Sequence, residues 1–196
     1  MSGATRARLF VALELPEPAR AALAAWGREV AAGVEAERSL RLLPADSLHA
    51  TLCFLGWRDE GQAEAIAALM LRAVPPGAAE PSLALGGPAW LPPRRPRVLA
   101  VDLADSAEAL AGLQARVSDA LAAGAGFEPE ARPFHPHVTV ARVPRAVRAT
   151  VTRARNELPP PAPLEFAGAA VTLYRSRLSR AGARYEPLAR AELVAR

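Results

Sequence analysis

The sequence predicts an α+β fold in two similar halves, with two antiparallel sheets lining a central cleft and helices outside. Three observations lead there. Short apolar runs bounded by proline or glycine alternate with stretches whose apolar residues recur every three or four positions. The order strand, helix, strand, helix occurs twice along the chain. A chain of 196 residues that is half hydrophobic is long enough for one two-lobed domain with a core of its own.

The elements follow in order. Arg8 to Leu15, closed by Pro16, reads as a buried strand. Pro18 suits the first turn of a helix, whose stripe is Leu23, Trp26, Val30 and Val34. Pro44 to Ser47 is turn-prone, and Leu48 to Gly56 is again strand-like. Asp59 and Gln62 form a capping pair for a helix that turns Ile66, Leu69, Met70 and Ala73 inward.

A proline- and glycine-rich stretch, Pro75 to Pro96, contains a short strand at Ser82 to Leu85 and a loop at Pro92 to Pro96. The pattern then repeats. Arg97 to Leu103 is a strand, Asp105 or Ser106 caps a helix with Leu110, Leu113, Val117 and Leu121 on one face, and Gly124 and Gly126 end it. Phe134 to Arg142 is an alternating strand, and a helix is expected from Pro144 to Leu158. After the stiff run Pro159 to Pro163, the segments Leu164 to Tyr174 and Ala183 to Leu188 read as a closing antiparallel pair, with Gly182 in the turn.

Composition narrows the function classes. No apolar run reaches the roughly 18 to 20 residues of a membrane span, and the N-terminus lacks a signal-peptide pattern, so a cytoplasmic protein is expected. The lone Cys53, between Leu52 and Phe54, reads as a buried apolar residue. All 24 basic residues are arginine, which fits GC-rich codon usage before it fits any site, and the net charge is +4. The positive bias is strongest late in the chain, at Arg142, Arg145, Arg148, Arg153 and Arg155, then Arg175, Arg177, Arg180 and Arg184; most of these are expected on a solvated face. No GxxxxGK[ST] run points to ATP. Trp26 and Trp57 are expected to pack, while Trp90 stays open between packing and base stacking.

The chemistry lies in a repeat. His49-Ala50-Thr51 and His137-Val138-Thr139 are two copies of HxT on corresponding strands, and they use two of the three histidines in the chain. On a strand, residues two apart face the same way about 6.5–7 Å apart, so an imidazole and a hydroxyl can grip one phosphate. If the two faces line one cleft, a neutral histidine can take a proton from water while a protonated one supplies the leaving oxygen. The threonine hydroxyls would donate to the nonbridging oxygens, and Arg142 would add a charge-assisted contact. Strict alternation turns Arg142 away from His137, although its length can carry the guanidinium around a strand end. His135 reads as a supporting or solvent-exposed histidine.

Through RLFVALELP, LHATLCFLG, PRVLAVDL, FHPHVTVAR and VTLYRSRLSRAGARYEPL, nearly the whole chain resembles the two-histidine phosphoesterase superfamily. Within it the resemblance is to the RNA 2',3'-cyclic phosphodiesterases of the LigT/ThpR type, often described as RNA 2',5'-ligases. That resemblance implies a bilobal fold in which His49 and His137 face each other across a phosphate, with Thr51, Thr139 and Arg142 as its ligands. It implies no metal or other cofactor, and an RNA end as partner, tRNA fragments included. It also implies opening of a 2',3'-cyclic phosphate to a 2'-phosphomonoester, with His49 the acid to the leaving 3'-oxygen and His137 the base. By the same resemblance Phe54 matches a position expected to stack on the terminal base, but alternation turns it away from His49 unless the strand ends or bulges before Gly56; otherwise it is core.

Three rivals stay open: a metallohydrolase using His49, His135 and His137, a noncatalytic RNA-binding module, and a phosphodiesterase for another cyclic nucleotide or a 2',5'-linked oligonucleotide. Threonines are poor zinc ligands, and no carboxylate lies in the PHVTVAR run, which counts against the first. Arg94, Arg95 and Arg97 read as a solvated loop. With no long heptad stripe, a monomer is expected.

Overall fold

Nine strands join into one sheet among the described residues. The computed structural model describes residues 5–33, 40–147, 158–179 and 182–195. Along the chain run β1 (Arg6–Glu14), α1 (Glu17–Gly33), β2 (Arg41–Leu42), β3 (His49–Asp59), α2 (Ala63–Ala73), β4 (Ser82–Leu91), β5 (Val98–Ala104), α3 (Ala109–Ala125), β6 (His137–Arg142), β7 (Glu165–Ala167), β8 (Ala170–Ser179) and β9 (Gly182–Glu192). The two antiparallel sheets expected from the sequence are halves of a single sheet, β7-β4-β5-β6 and β3-β1-β8-β9, joined into one curled surface through the antiparallel pair Ala50↔Val138.

The predicted stripes form the core. Leu23, Trp26 and Val30 of α1, Ile66 and Met70 of α2, and Leu110, Leu113, Val117 and Leu121 of α3 are all buried. They pack with Leu9, Val11 and Leu13 of β1 and with Leu99, Val101 and Val138 of the second half. Each fully buried leucine of this set contributes about 1.5–3 kcal/mol. Trp26 packs as expected, its Nε1–H donating to the Pro159 carbonyl at 2.9 Å. The capping pair also forms: the Asp59 backbone N–H donates to Gln62 Oε1, and a turn of 3-10 helix at Glu60–Gln62 leads into α2.

Several elements differ from the sequence-based expectation, each for a physical reason. The strand expected at Ser82 to Leu85 runs on to Leu91, because its ladder with β5 is irregular between Leu85 and Pro88, where a residue without an N–H is tolerated. The strand expected from Phe134 starts at His137, after Pro136, whose carbonyl accepts from the Leu103 N–H. The strand expected from Leu164 to Tyr174 divides: β7 pairs with β4, and β8 pairs with β1 and β9. Ser106 does not cap α3; Asp105 does so at a distance, its Oδ2 accepting from the Ala111 N–H at 2.9 Å. Gly126, at φ 56°, closes that helix with a left-handed residue, as glycine allows.

The helix expected from Pro144 opens as a 3-10 turn at Arg145–Val147. Its remainder, including Arg148, Arg153 and Arg155, lies outside the described residues, as do Val34 and Arg180.

Candidate active site

The register of β3 against β1 decides which side chains reach the cleft. His49 stands opposite Glu14, Thr51 opposite Ala12, Phe54 opposite Phe10, and Trp57 opposite Arg8. The pairing slips twice, so that Leu52 and Leu55 are each an extra residue on β3. An extra residue reverses the alternation beyond it. Leu52 and Cys53 are therefore buried in succession, and Phe54 emerges 46% exposed on the face that carries His49 and Thr51. The bulge that the sequence reading required for Phe54 is present.

The second half repeats the device. His137 stands opposite Asp102, Thr139 opposite Ala100 and Arg142 opposite Val98, with Val140 as the extra residue. Val140 and Ala141 are buried in succession, and Arg142 returns to the His137 face. Helix α1 lies so close to this bulge that a Cβ on Gly27 would meet Val140 Cγ1 at 2.6 Å. In both halves the residue right after HxT is the bulged one, and the residue five beyond the histidine regains the cleft.

Consequently all six residues singled out from the sequence, His49, Thr51, Phe54, His137, Thr139 and Arg142, line one cleft of about 180 Å3. Each histidine is oriented in the same way. His49 Nδ1 lies 2.8 Å from the Ser47 carbonyl, and His137 Nδ1 lies 2.7 Å from the His135 carbonyl. A carbonyl only accepts, so Nδ1 carries hydrogen and Nε2 is left free to take or give a proton.

The surroundings of the two rings differ. Phe10 stacks on His49 with ring centroids 4.9 Å apart, and Tyr185 meets it edge-on at 5.2 Å. Burial in this aromatic box lowers the His49 pKa to about 4, and the charge of His137 pushes the same way, against the bond to Ser47. His137 is the more open ring, tilted against His135 at 5.5 Å. His135 is half-exposed, its Nε2 3.1 Å from Asp102 Oδ1.

Sequence reasoning missed Phe10, Tyr174, Tyr185, Glu14 and Arg8. Glu14 accepts from Thr172 Oγ1 at 2.6 Å, from the Tyr174 hydroxyl at 2.9 Å and from Arg190 Nε at 2.9 Å. Burial raises the Glu14 pKa, but these bonds outweigh it and hold the carboxyl below its ordinary value. Tyr174 is pushed up to about 12 by burial and by Glu14. One signal did lie in the sequence: Ala12-Leu13-Glu14-Leu15 and Ala100-Val101-Asp102-Leu103 are matching runs, each setting its acidic residue opposite a histidine. A larger cavity of about 530 Å3 adjoins the cleft at Ser47, His49 and Tyr185, with Glu14, Arg20 and Arg184 in its wall.

A model of the 2'-5' RNA ligase superfamily matches residues 15–180. The RNA 2',3'-cyclic phosphodiesterase of Escherichia coli K12 is 33% identical over 184 residues, 93% of this chain and 94% of its own. The chain belongs to the 2'-5' RNA ligase superfamily. Among solved structures, E. coli LigT complexed with 3'-AMP matches with a TM-score of 0.76 and 28% identity over 96% of this chain and 99% of its own. TT0787 of Thermus thermophilus matches at 0.70 and 29% over 96% and 98%.

Within this superfamily member the remaining expectations sort by environment. Cys53 is buried, and burial pushes its thiol up to about 12, far from a reactive thiolate. Among the described residues no group of three or more His, Cys, Asp or Glu side chains is placed to hold a metal ion. No helix among them is long and apolar enough to cross a membrane. Trp90 packs against the core, half-buried. Trp57 does not pack as expected: it is 54% exposed, because the second bulge in β3, at Leu55, keeps it on the open face.

Proposed function

We propose that this enzyme hydrolyses RNA 2',3'-cyclic phosphodiester ends to 2'-phosphomonoesters by metal-independent acid–base catalysis. The observation that carries the reading is the doubled HxT strand, with both Nδ1 atoms tied to carbonyls and both sets of side chains on one cleft. Water attacks phosphorus and gives its proton to His137 Nε2; the P–O3' bond breaks, and His49 Nε2 protonates the departing 3'-oxygen. Thr51 and Thr139 donate to the nonbridging oxygens, Arg142 offsets their charge, and Phe54 stacks on the terminal base.

Which histidine plays which part rests on the family resemblance. In the free protein His49 is neutral near pH 7, since its pKa lies at about 4. It serves as the acid once the phosphate anion sits between the two imidazoles and favours the charged ring. With a 5'-hydroxyl in place of water, the same groups join two RNA ends through a 2',5' linkage. The substrate class is RNA ending in a cyclic phosphate, tRNA fragments included; the enzyme works as a cytoplasmic monomer, residues 1–196 forming one two-lobed domain. The single sheet running through both halves and the lone buried thiol support that reading.

The test is incubation of the purified protein, in EDTA, with a short RNA ending in a 2',3'-cyclic phosphate, followed by separation of 2'- from 3'-phosphate products. The 2'-phosphate is expected. A 3'-phosphate product reverses the direction, and dependence on added zinc overturns the metal-free mechanism.

A further inference from the structure

The row of residues that crosses the sheet one step beyond Phe54 extends the cleft. Trp57 on β3 pairs with Arg8 on β1, Arg8 with Ser176 on β8, and Ser176 with Tyr185 on β9. Arg8, Ser176 and Tyr185 line the cleft, and Trp57 is the one member of this row just beyond its lining. Its neighbour Arg58 reaches the opposite face, donating to the Gly126 carbonyl at the end of α3. Adjacent strand residues face opposite ways, so the Trp57 indole is on the cleft side. It is more exposed than any other large hydrophobic side chain among the described residues.

Two arginines attend this stretch of the sheet. The Arg8 guanidinium sits 4.8 Å above the centre of the Phe54 ring, and Arg6 Nη2 donates to the Trp57 carbonyl at 3.1 Å. Phe10 and Arg8, which oppose Phe54 and Trp57, are two residues apart on β1, so the two aromatic stations are about 7 Å apart. That is roughly twice the 3.4 Å rise of a stacked strand, a gap that one extended nucleotide step bridges. Aromatic faces beside arginines are the usual platform for single-stranded nucleic acid, because every base has a π-face.

Resting on the proposed reaction, we infer that Trp57, with Arg8, is a stacking station for the base of the penultimate nucleotide, the one preceding the cyclic phosphate. The site therefore prefers a strand to a cyclic mononucleotide. Trp57 takes no part at phosphorus, so it acts on the length of the substrate and not on the chemistry.

The experiment compares a nucleoside 2',3'-cyclic phosphate with a dinucleotide ending in the same group, for the wild type, Trp57→Ala and Trp57→Phe. Trp57→Ala is expected to lower kcat/KM for the dinucleotide about tenfold while leaving the mononucleotide within about twofold, and Trp57→Phe to keep most of the preference. Equal loss on both substrates, or no loss on either, overturns the station. Self-association abolished by Trp57→Ala with both rates unchanged would assign the face to a second copy instead. Dinucleotide affinity measured in the His137→Ala background carries the comparison without turnover, so failure of the reaction and failure of the station are read separately.

Discussion

The halves around His49 and His137 share their geometry and differ in their electrostatics. Each places HxT on a central strand, bulges at the following residue, ties Nδ1 to the carbonyl two residues back and sets an acidic residue across the ladder. Yet His49 sits in a box of Phe10 and Tyr185 with Phe54 farther along, while His137 stands beside His135 with Arg142 farther along. A duplicated backbone thus delivers two imidazoles oriented alike, and the side chains packed around them make the pair unequal. Acid–base chemistry needs that inequality, because one ring must be empty when the other is charged.

The largest test of the shared geometry is removal of either ring. His49→Ala and His137→Ala should each lower kcat/KM by on the order of 10²–10⁴, with unchanged circular dichroism. Comparable losses are expected because both rings act in one transition state of the proposed reaction. A variant that keeps most of its activity would show that the two halves do not share the work.

The inequality is tested by titration. In the free protein the His49 imidazole should titrate near pH 4 by NMR and move upward when inorganic phosphate is added. No upward movement would remove His49 as the acid and reverse the proposed roles. The same depression affects stability. Between about pH 4 and 6.5 the unfolded chain binds the extra proton, so stability rises with pH through that window, and up to about 3 kcal/mol is lost by pH 4. His49→Ala should abolish that part of the acid sensitivity in denaturant melts.

Next in size come the hydroxyls. Thr51→Ala and Thr139→Ala should each cost about 1–3 kcal/mol of transition-state stabilisation as lost bonds to a charged oxygen, with little change in melting temperature. Both threonines face alanine across the ladders to β1 and β5. Unequal costs would locate the phosphate nearer one half.

The halves also mark what could be read in advance. HxT was legible because a histidine and a threonine two apart on a strand need only local alternation to share a face. The positions of Phe54 and Arg142 were not, because one bulged residue, Leu52 or Val140, reverses parity without leaving a distinctive letter in the sequence. Tyr174 and Tyr185 reach His49 only because β8 pairs with β1 across some 160 positions of chain, a partnership that periodicity does not encode. The division of Leu164 to Tyr174 into β7 and β8 escaped for the same reason: each piece belongs to a different edge of the sheet.

The smallest expected effect compares the two acidic residues across the ladder. Glu14 gathers Thr172, Tyr174 and Arg190, whereas Asp102 meets the half-exposed His135. Glu14→Gln keeps the volume and removes the charge that three donors address, and should cost about 1 kcal/mol at neutral pH, since Arg190 is itself solvent-screened. The sign with pH follows from the lowered pKa: the stabilisation is present above the ordinary carboxyl range and is lost as pH falls through the folded value. Wild type and Glu14→Gln should therefore converge in strong acid and separate above it in urea melts. Asp102→Asn should cost less, because a single half-exposed imidazole is all it would release. Equal costs at the two positions would mean that the halves match in electrostatics as well as in backbone, and the source of their inequality would then be the aromatic box alone.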